Sequence, residues 1–450
     1  MNQGAAAGRA SCDGPATAPN PARRQLRSIR DSLRRFTVGC AVCVACACDS
    51  GVASRTFVER DSAGIRIVDN DVPQWGDRSG WQVIDPPLVD VGVDDGSAEY
   101  QLFDVRMAVR QSDGTIVVLN GGTQELRFYD TAGEHIRSVG RQGSGPGEYT
   151  TLEFVAVLPG DSLLAFNRTP AQVSILTPDG QFVRSFNMPA PADRRTFFDF
   201  DVAGLMDGRR LVVWSQPIYA AGYVESADGM NRHPHPIGLV DLRSNAFDSV
   251  AEAPGWDVWV EKRPDGSSSM AAPPFARSSD IVARGDHIYV APTEQLGITV
   301  LDAAGNVSMK ARASAVALEV TEADVQALKE DLFERFSVSE AQRPEAERHF
   351  ASLPRPERFP LFRGADVDVE GNIWLHAYPR PGEEPQSAQV FSPEGRWLGE
   401  VALPSGLKRV NELEPAPLEI GSDYVLGVWQ DEADVDHVRL YRLERRGPGT

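Results

Sequence analysis

All five cysteines of this 450-residue chain, Cys12, Cys40, Cys43, Cys46 and Cys48, stand before residue 49. The rest of the chain can therefore hold no disulfide, no thiolate zinc site and no cysteine nucleophile. Other reactive constellations are equally sparse. There is no Gly-x-Ser-x-Gly elbow, no His-Glu-x-x-His pair and no EF-hand loop, so serine hydrolase and zincin chemistry have no support. His233-Pro234-His235 could offer imidazoles to a metal completed by a distant carboxylate, but a Pro-rich exposed loop in an irregular insertion explains the same residues. His287 and His376 fall in apolar strands, where packing competes with lining a channel. The most distinctive stretch runs Gly140-Arg141-Gln142-Gly143-Ser144-Gly145-Pro146-Gly147-Glu148-Tyr149. Its glycines free the backbone for positive φ and Pro146 stiffens the middle, so the loop could present Arg141, Glu148 and Tyr149 to a ligand. A plain crossing between two sheets, with Arg141 paired to Glu148, is the simpler use. A phosphate cradle is disfavoured, because neither a helix nor Lys-Ser/Thr follows the glycines.

The cysteines cluster where an address would be. Arg34-Arg35 precede Phe36–Ala47, an uncharged run of about 12 small and apolar residues that ends at Cys48-Asp49-Ser50. As a helix that run reaches about 18 Å, too short for roughly 30 Å of hydrocarbon, and so has the length of a signal-peptide core. Ala45-Cys46-Ala47-Cys48 resembles a bacterial lipobox, with Cys48 as the thiol that would receive the lipid and Cys46 as a second candidate. A plain cleaved signal and an uncleaved anchor are the alternatives. The chain carries 45 Lys+Arg against 64 Asp+Glu, a net charge of −19, although residues 1–48 are Arg-rich. The acidic remainder would repel nucleic acid, so no nucleic-acid partner is expected.

The elements that would position any site are repeated. Asp113-Gly114 feeds the apolar run Ile116–Leu119, a second strand Glu125–Tyr129 follows, Asp130-Thr131-Ala132-Gly133 turns, and Glu134–Val139 makes a third strand. Units with the same order of parts open at Gly160, Gly208, Gly285, Gly371 and Gly421, at intervals of 46, 48, 77, 86 and 50 residues counted from Gly114. Six turn-and-strand units at that spacing predict an all-β, six-bladed β-propeller with insertions in the two long intervals. Two stacked β-sandwiches are the competing architecture. Ring closure requires a strand from the other end of the chain, either Gly64–Val68 or Gly80–Ile84, beside Val438–Leu443. Thr321-Glu322-Ala323-Asp324 reads as a capping box before Val325, Leu328, Leu332 and Phe336, which predicts a helix over 321–336 that Pro344 prevents from continuing. The expected organisation is a leader at 1–48, a linker at 49–60, the propeller at 61–445 with a helical insertion about 318–355, and a tail at 446–450.

With the unit before it, the glycine loop resembles that of the bacterial six-bladed β-propeller lipoprotein family, related to NHL repeats. The resemblance extends over roughly 55–445 and implies a fold and export, without implying a reaction. Similarity to gluconolactonase-like propellers adds an alternative, a calcium-dependent hydrolase or lyase, for which Glu153, Asp199, Asp201 and Asp366 would have to converge on the axis. Asp residues that merely form turns account for the same pattern. The leading expectation is a periplasmic or cell-surface lipoprotein, attached to the membrane by its lipid, that binds a protein, peptide or glycan non-catalytically and needs no cofactor.

Overall fold

In each repeat the strand after the opening turn is apolar at nearly every position, although an alternating pattern is the rule where only one sheet face is buried. Ile116–Asn120 and Leu163–Asn167 are buried at all five positions. Ile116 and Val118 pack on one side of their sheet, and Val117 and Leu119 on the other. Such a strand is needed where a sheet is covered on both faces, as in a blade between two blades.

A computed structural model of the chain describes residues 56–76, 80–189, 200–216, 226–383, 387–408 and 416–446. The leader with Cys48, most of the expected linker, Asp199 and the last four residues lie outside them. The described residues form six four-stranded blades, each an antiparallel meander. Blade 1 comprises Val105–Arg110, Ile116–Asn120, Glu125–Tyr129 and His135–Gly140; blade 2 comprises Leu152–Val157, Leu163–Asn167, Gln172–Leu176 and Phe182–Asn187. Blade 3 comprises Asp201–Met206, Arg210–Trp214, His235–Asp241 and Phe247–Ala253; blade 4 comprises Ser279–Gly285, His287–Pro292, Gly297–Leu301 and Val307–Ala313. Blade 5 comprises Phe362–Val367, Ile373–Ala377, Ser387–Phe391 and Trp397–Ala402, and blade 6 comprises Glu419–Ile420, Tyr424–Gln430, Asp436–Arg445 and Trp81–Val91.

The core is divided among the blade interfaces. Separate apolar clusters join blades 1 and 2, 2 and 3, 3 and 4, 4 and 5, 5 and 6, and 6 and 1. The last of these, with Val89, Leu426 and Val428 against Val105 and Val118, completes the ring. Of the two segments expected to close it, Trp81–Val91 does so, pairing antiparallel with Asp436–Arg445. Ile65–Asn70 instead runs parallel to Val307–Ala313 on the rim of blade 4, and Phe57–Ser62, partly within the expected linker, pairs with it.

Strand direction alternates within a blade, so the turns between strands 1 and 2 and between 3 and 4 share one face, and all other connections share the opposite face. The first, lower face carries short Asp and Gly turns. Asp130, Asp241 and Asp302 each accept hydrogen bonds from backbone amides two to four residues ahead. The upper face carries the glycine loop and three long excursions: the described residues of 215–234 within blade 3, 254–278 after it, and 314–361 after blade 4. Parts of the first two build a small sheet, Gly229–Asn231, Val258–Lys262 and Ser268–Ala271.

The third excursion holds α1, Glu322–Arg335, with Thr321 as N-cap and Asp324 completing the capping box. It also holds α2, Arg343–Ser352, which was not anticipated: Pro344 stands in its first turn, where the missing amide hydrogen costs no bond, and so starts a helix rather than preventing one. Val325, Leu328 and Phe350 pack on Phe275, Phe359 and Tyr378, with Trp259 and Ala271 alongside. Arg380 ties the 2–3 connection of blade 5 to this layer through Asp324, at 2.6 Å.

Candidate functional site

The first strands of all six blades surround an axial cavity of about 940 Å³. At the lower end its wall is drawn tight between blades 3 and 4, where Gly204–Met206 pairs in parallel with Ala283–Gly285. Gly204 permits this: its φ is +137°, and a Cβ there would stand 2.2 Å from the Ala283 carbonyl oxygen.

At the upper end the chemistry is paired. Arg168, just past the second strand of blade 2, bridges Glu153 of the same blade and Asp201 of the next. Burial opposes its charge, but Asp201 and Glu153 outweigh that cost and hold the guanidinium protonated. Trp214 and His235, on adjacent strands of blade 3, stack at 4.8 Å, with Trp256 at 6.5 Å from His235. Burial, aided by Arg232, pushes the His235 imidazole down to about 4, so at neutral pH it is an uncharged ring. Deeper in, His376 Nε2 and Asp366 Oδ2 hydrogen-bond at 2.7 Å, and the other Asp366 oxygen accepts from the Leu418 amide at 3.1 Å.

At the lower end Glu419 accepts hydrogen bonds from the Tyr424 hydroxyl at 2.6 Å and the Arg110 amide at 3.1 Å. Burial raises its carboxyl above the ordinary range, although Tyr424, the Arg110 amide and the guanidinium groups of Arg284 and Arg110 all act in the other direction. Arg110 lies over the Tyr424 ring, 4.7 Å from its centroid.

Glu153 and Asp201 are therefore brought together, but on Arg168, while Asp366 stands with His376. Among the described residues no group of three or more His, Cys, Asp or Glu side chains is arranged to hold a metal ion. Arg141 and Glu148 pair at 2.8 Å, and Glu148 also accepts from the Gly145 amide, which with Arg141 lowers its carboxyl below the usual range. Gly143 admits this clasp, since a Cβ there would stand 2.3 Å from a Glu148 oxygen. None of the three loop residues is among the cavity's lining, and Tyr149, 1% exposed, belongs to the core between blades 1 and 2. Presentation of Tyr149 to a ligand is thus corrected: the loop buries its aromatic ring to seat the crossing. His235 is likewise corrected from an exposed loop residue to a buried strand residue; His287 is exposed and His376 buried.

Arg110, Arg168, Arg284, Glu419, Tyr424 and Trp214 were missed. Arg110, Arg284 and Glu419 precede the opening glycines of their units by four, one and two residues, so hairpins of unequal length hide a common position at the foot of the inner strand.

Comparison with known proteins agrees with this architecture. Residues 101–159 match the DUF5128 family model, described as a 6-bladed beta-propeller. The chain has the six-bladed β-propeller fold. The resemblance carried by the glycine loop is upheld by the same match, which includes that loop. No curated protein matches in sequence. Similar solved structures include BF0058 of Bacteroides fragilis NCTC 9343, named as an exported protein, at 12% identity and TM-score 0.46 over 85% of this chain and 100% of that one. A DUF4221 family member of Bacteroides vulgatus ATCC 8482 is similar at 10% identity and TM-score 0.48, over 81% and 99% of the two chains. The gluconolactonase XC5397 of Xanthomonas campestris shows 12% identity and TM-score 0.38 over 80% of the propeller's chain and 99% of its own.

Proposed function

We propose that the propeller is an exported protein, attached to a membrane by a lipid on Cys48, that binds a peptide or glycan at the upper mouth of its axial cavity without transforming it. The observation that carries this reading is the state of the side chains at that mouth. Glu153 and Asp201 are engaged by Arg168, which leaves the half-buried indole of Trp214, backed by the buried neutral ring of His235, as the prominent apolar surface. Flat apolar rings with a polar edge suit sugars and peptide side chains. A cavity of about 940 Å³ is at the upper end of the roughly 300–1,000 Å³ usual for ligand pockets and admits the end of a chain rather than a folded domain. The calcium-dependent hydrolase alternative is weaker, because two of its expected acids are committed to an arginine.

A peptide and glycan array probed with the purified chain tests the reading. A captured ligand should be released unchanged, and Trp214→Ala should weaken capture by about tenfold or more, while Trp214→Phe, which keeps a ring against the core between blades 3 and 4, should retain part of it. Turnover of the ligand, or stoichiometric calcium required for capture, would refute the non-catalytic assignment. Cys48→Ser should move the protein from the membrane fraction to the soluble one; continued sedimentation with membranes would refute the anchor.

A further inference from the structure

The lower end of the cavity, opposite the proposed mouth, has a different charge arrangement. Arg110 and Arg284 stand at the feet of the inner strands of blades 1 and 4, three blades apart in a ring of six, so they approach the axis from opposite sides. The Arg110 guanidinium is held in place without a direct ion pair, although its charge acts on the Glu419 carboxyl. Its guanidinium lies against the Tyr424 ring, Gly114 faces its other side closely enough that a Cβ there would meet Nη2 at 3.3 Å, and its buried Nε has no hydrogen-bond partner. Arg284 is half-buried, and its side chain makes no hydrogen bond or close ion pair among the described residues, although its charge acts on the Glu419 carboxyl; its backbone is fixed opposite Leu205 by the pairing of blades 3 and 4. The acids nearby are otherwise occupied: Ser112 donates twice to Asp161, and Glu419 is bound by Tyr424 and the Arg110 amide.

Resting on the proposed binding reading, we infer that the peptide or glycan bears an anionic group, a carboxylate, phosphate or sulfate, that seats between Arg110 and Arg284 at the foot of the cavity. Inner strands of six residues separate the two ends by roughly 20 Å at about 3.3 Å per residue. The ligand therefore extends along the axis, its anionic end reaching the arginines and the rest lying against Trp214. Guanidinium groups from opposite walls suit a planar carboxylate or a tetrahedral oxyanion, each donating to different oxygens. Glu419 sets the strength of the site, since whatever negative charge it carries competes with the ligand.

Calorimetric titration of the purified full chain with inorganic phosphate, sulfate, and a short peptide in free-acid and C-terminally amidated forms tests the inference. Saturable binding is expected for at least one anion, and a preference for the free-acid peptide over both inorganic ions would identify a chain terminus as the source. Arg284→Gln should weaken binding by about tenfold or more, Arg284→Lys should restore part of it, and Glu419→Gln should strengthen it. The Arg284 side chain makes no hydrogen bond or ion pair with a neighbour, so its variants report on the site even if Arg110→Gln fails to fold, and Arg284→Lys keeps the charge that acts on Glu419 and Tyr424. No saturable binding of any probe, or affinity unchanged in Arg284→Gln, would overturn the anion site. Array capture that depends on Trp214 but not Arg284 would overturn it and leave the binding reading standing; anion binding that depends on Arg284 with an empty array would do the reverse.

Discussion

The upper and lower faces of the ring are made by the same strands, yet they are held together in different ways. On the lower face the turns between strands 3 and 4 are stabilised from within: Asp302 accepts from Ala304 and Asn306, and Asp130 from Ala132 and Glu134. On the upper face the polar side chains fasten one blade or connection to another. Asp436 of blade 6 accepts from the Val105 amide of blade 1 at 2.8 Å and from buried Lys408 at 2.7 Å, and Asn167 accepts from the amides of Thr150 and Thr151 at the entry to blade 2. A turn closed by its own aspartate can repeat without regard to its neighbours. A face built from long-range fastenings can carry excursions, because each entry strand is anchored independently of the length of chain before it.

Breaking fastenings on each face sharpens this contrast. Asp436→Ala leaves Lys408 charged and buried and the Val105 amide unpaired, and should cost about 3–5 kcal/mol in denaturant unfolding. Because His235 titrates near 4 in the folded chain and near 6.5 when unfolded, its contribution is complete above about pH 6.5 and is lost as pH falls toward 4. This amounts to about 3 kcal/mol at most, and His235→Phe should flatten that part of the stability profile relative to the parent. Asn167→Ala should cost about 1–3 kcal/mol by leaving two amides without their acceptor, with hydrogen exchange accelerated first at Thr150 and Thr151. Asp302→Ala, an exposed turn on the lower face, should shift the melting temperature least of the four. A loss there equal to that of Asp436→Ala would erase the distinction between the faces.

The same contrast explains what could be read from the sequence. Asp/Gly turns and the doubly buried strands after them are local signals, and they revealed six blades and the helix capped by Thr321. The partner of Asp436–Arg445 could be narrowed to two candidates but no further, because Ile65–Asn70 has an apolar pattern similar to that of Trp81–Val91 and only three-dimensional packing distinguishes rim from closure. α2 escaped notice because Pro344 can stop a helix or start one. Within the cavity, Arg168 was invisible as a partner of Glu153 and Asp201, since it lies 15 residues from one and 33 from the other and meets both only where two blades adjoin. Arg110 and Arg284 were hidden by strand-end positions that only the ring makes equivalent.

Pairing Trp81–Val91 with Asp436–Arg445 also orders events in time. A segment made early waits for a partner that follows it only after five blades, so a nascent chain cannot assemble its sixth blade before that strand is made. Until then blades 1 and 5 each keep an uncovered apolar flank, open to proteases and to self-association. Contacts this distant in sequence form slowly, and sealing is expected as one late step rather than gradual growth.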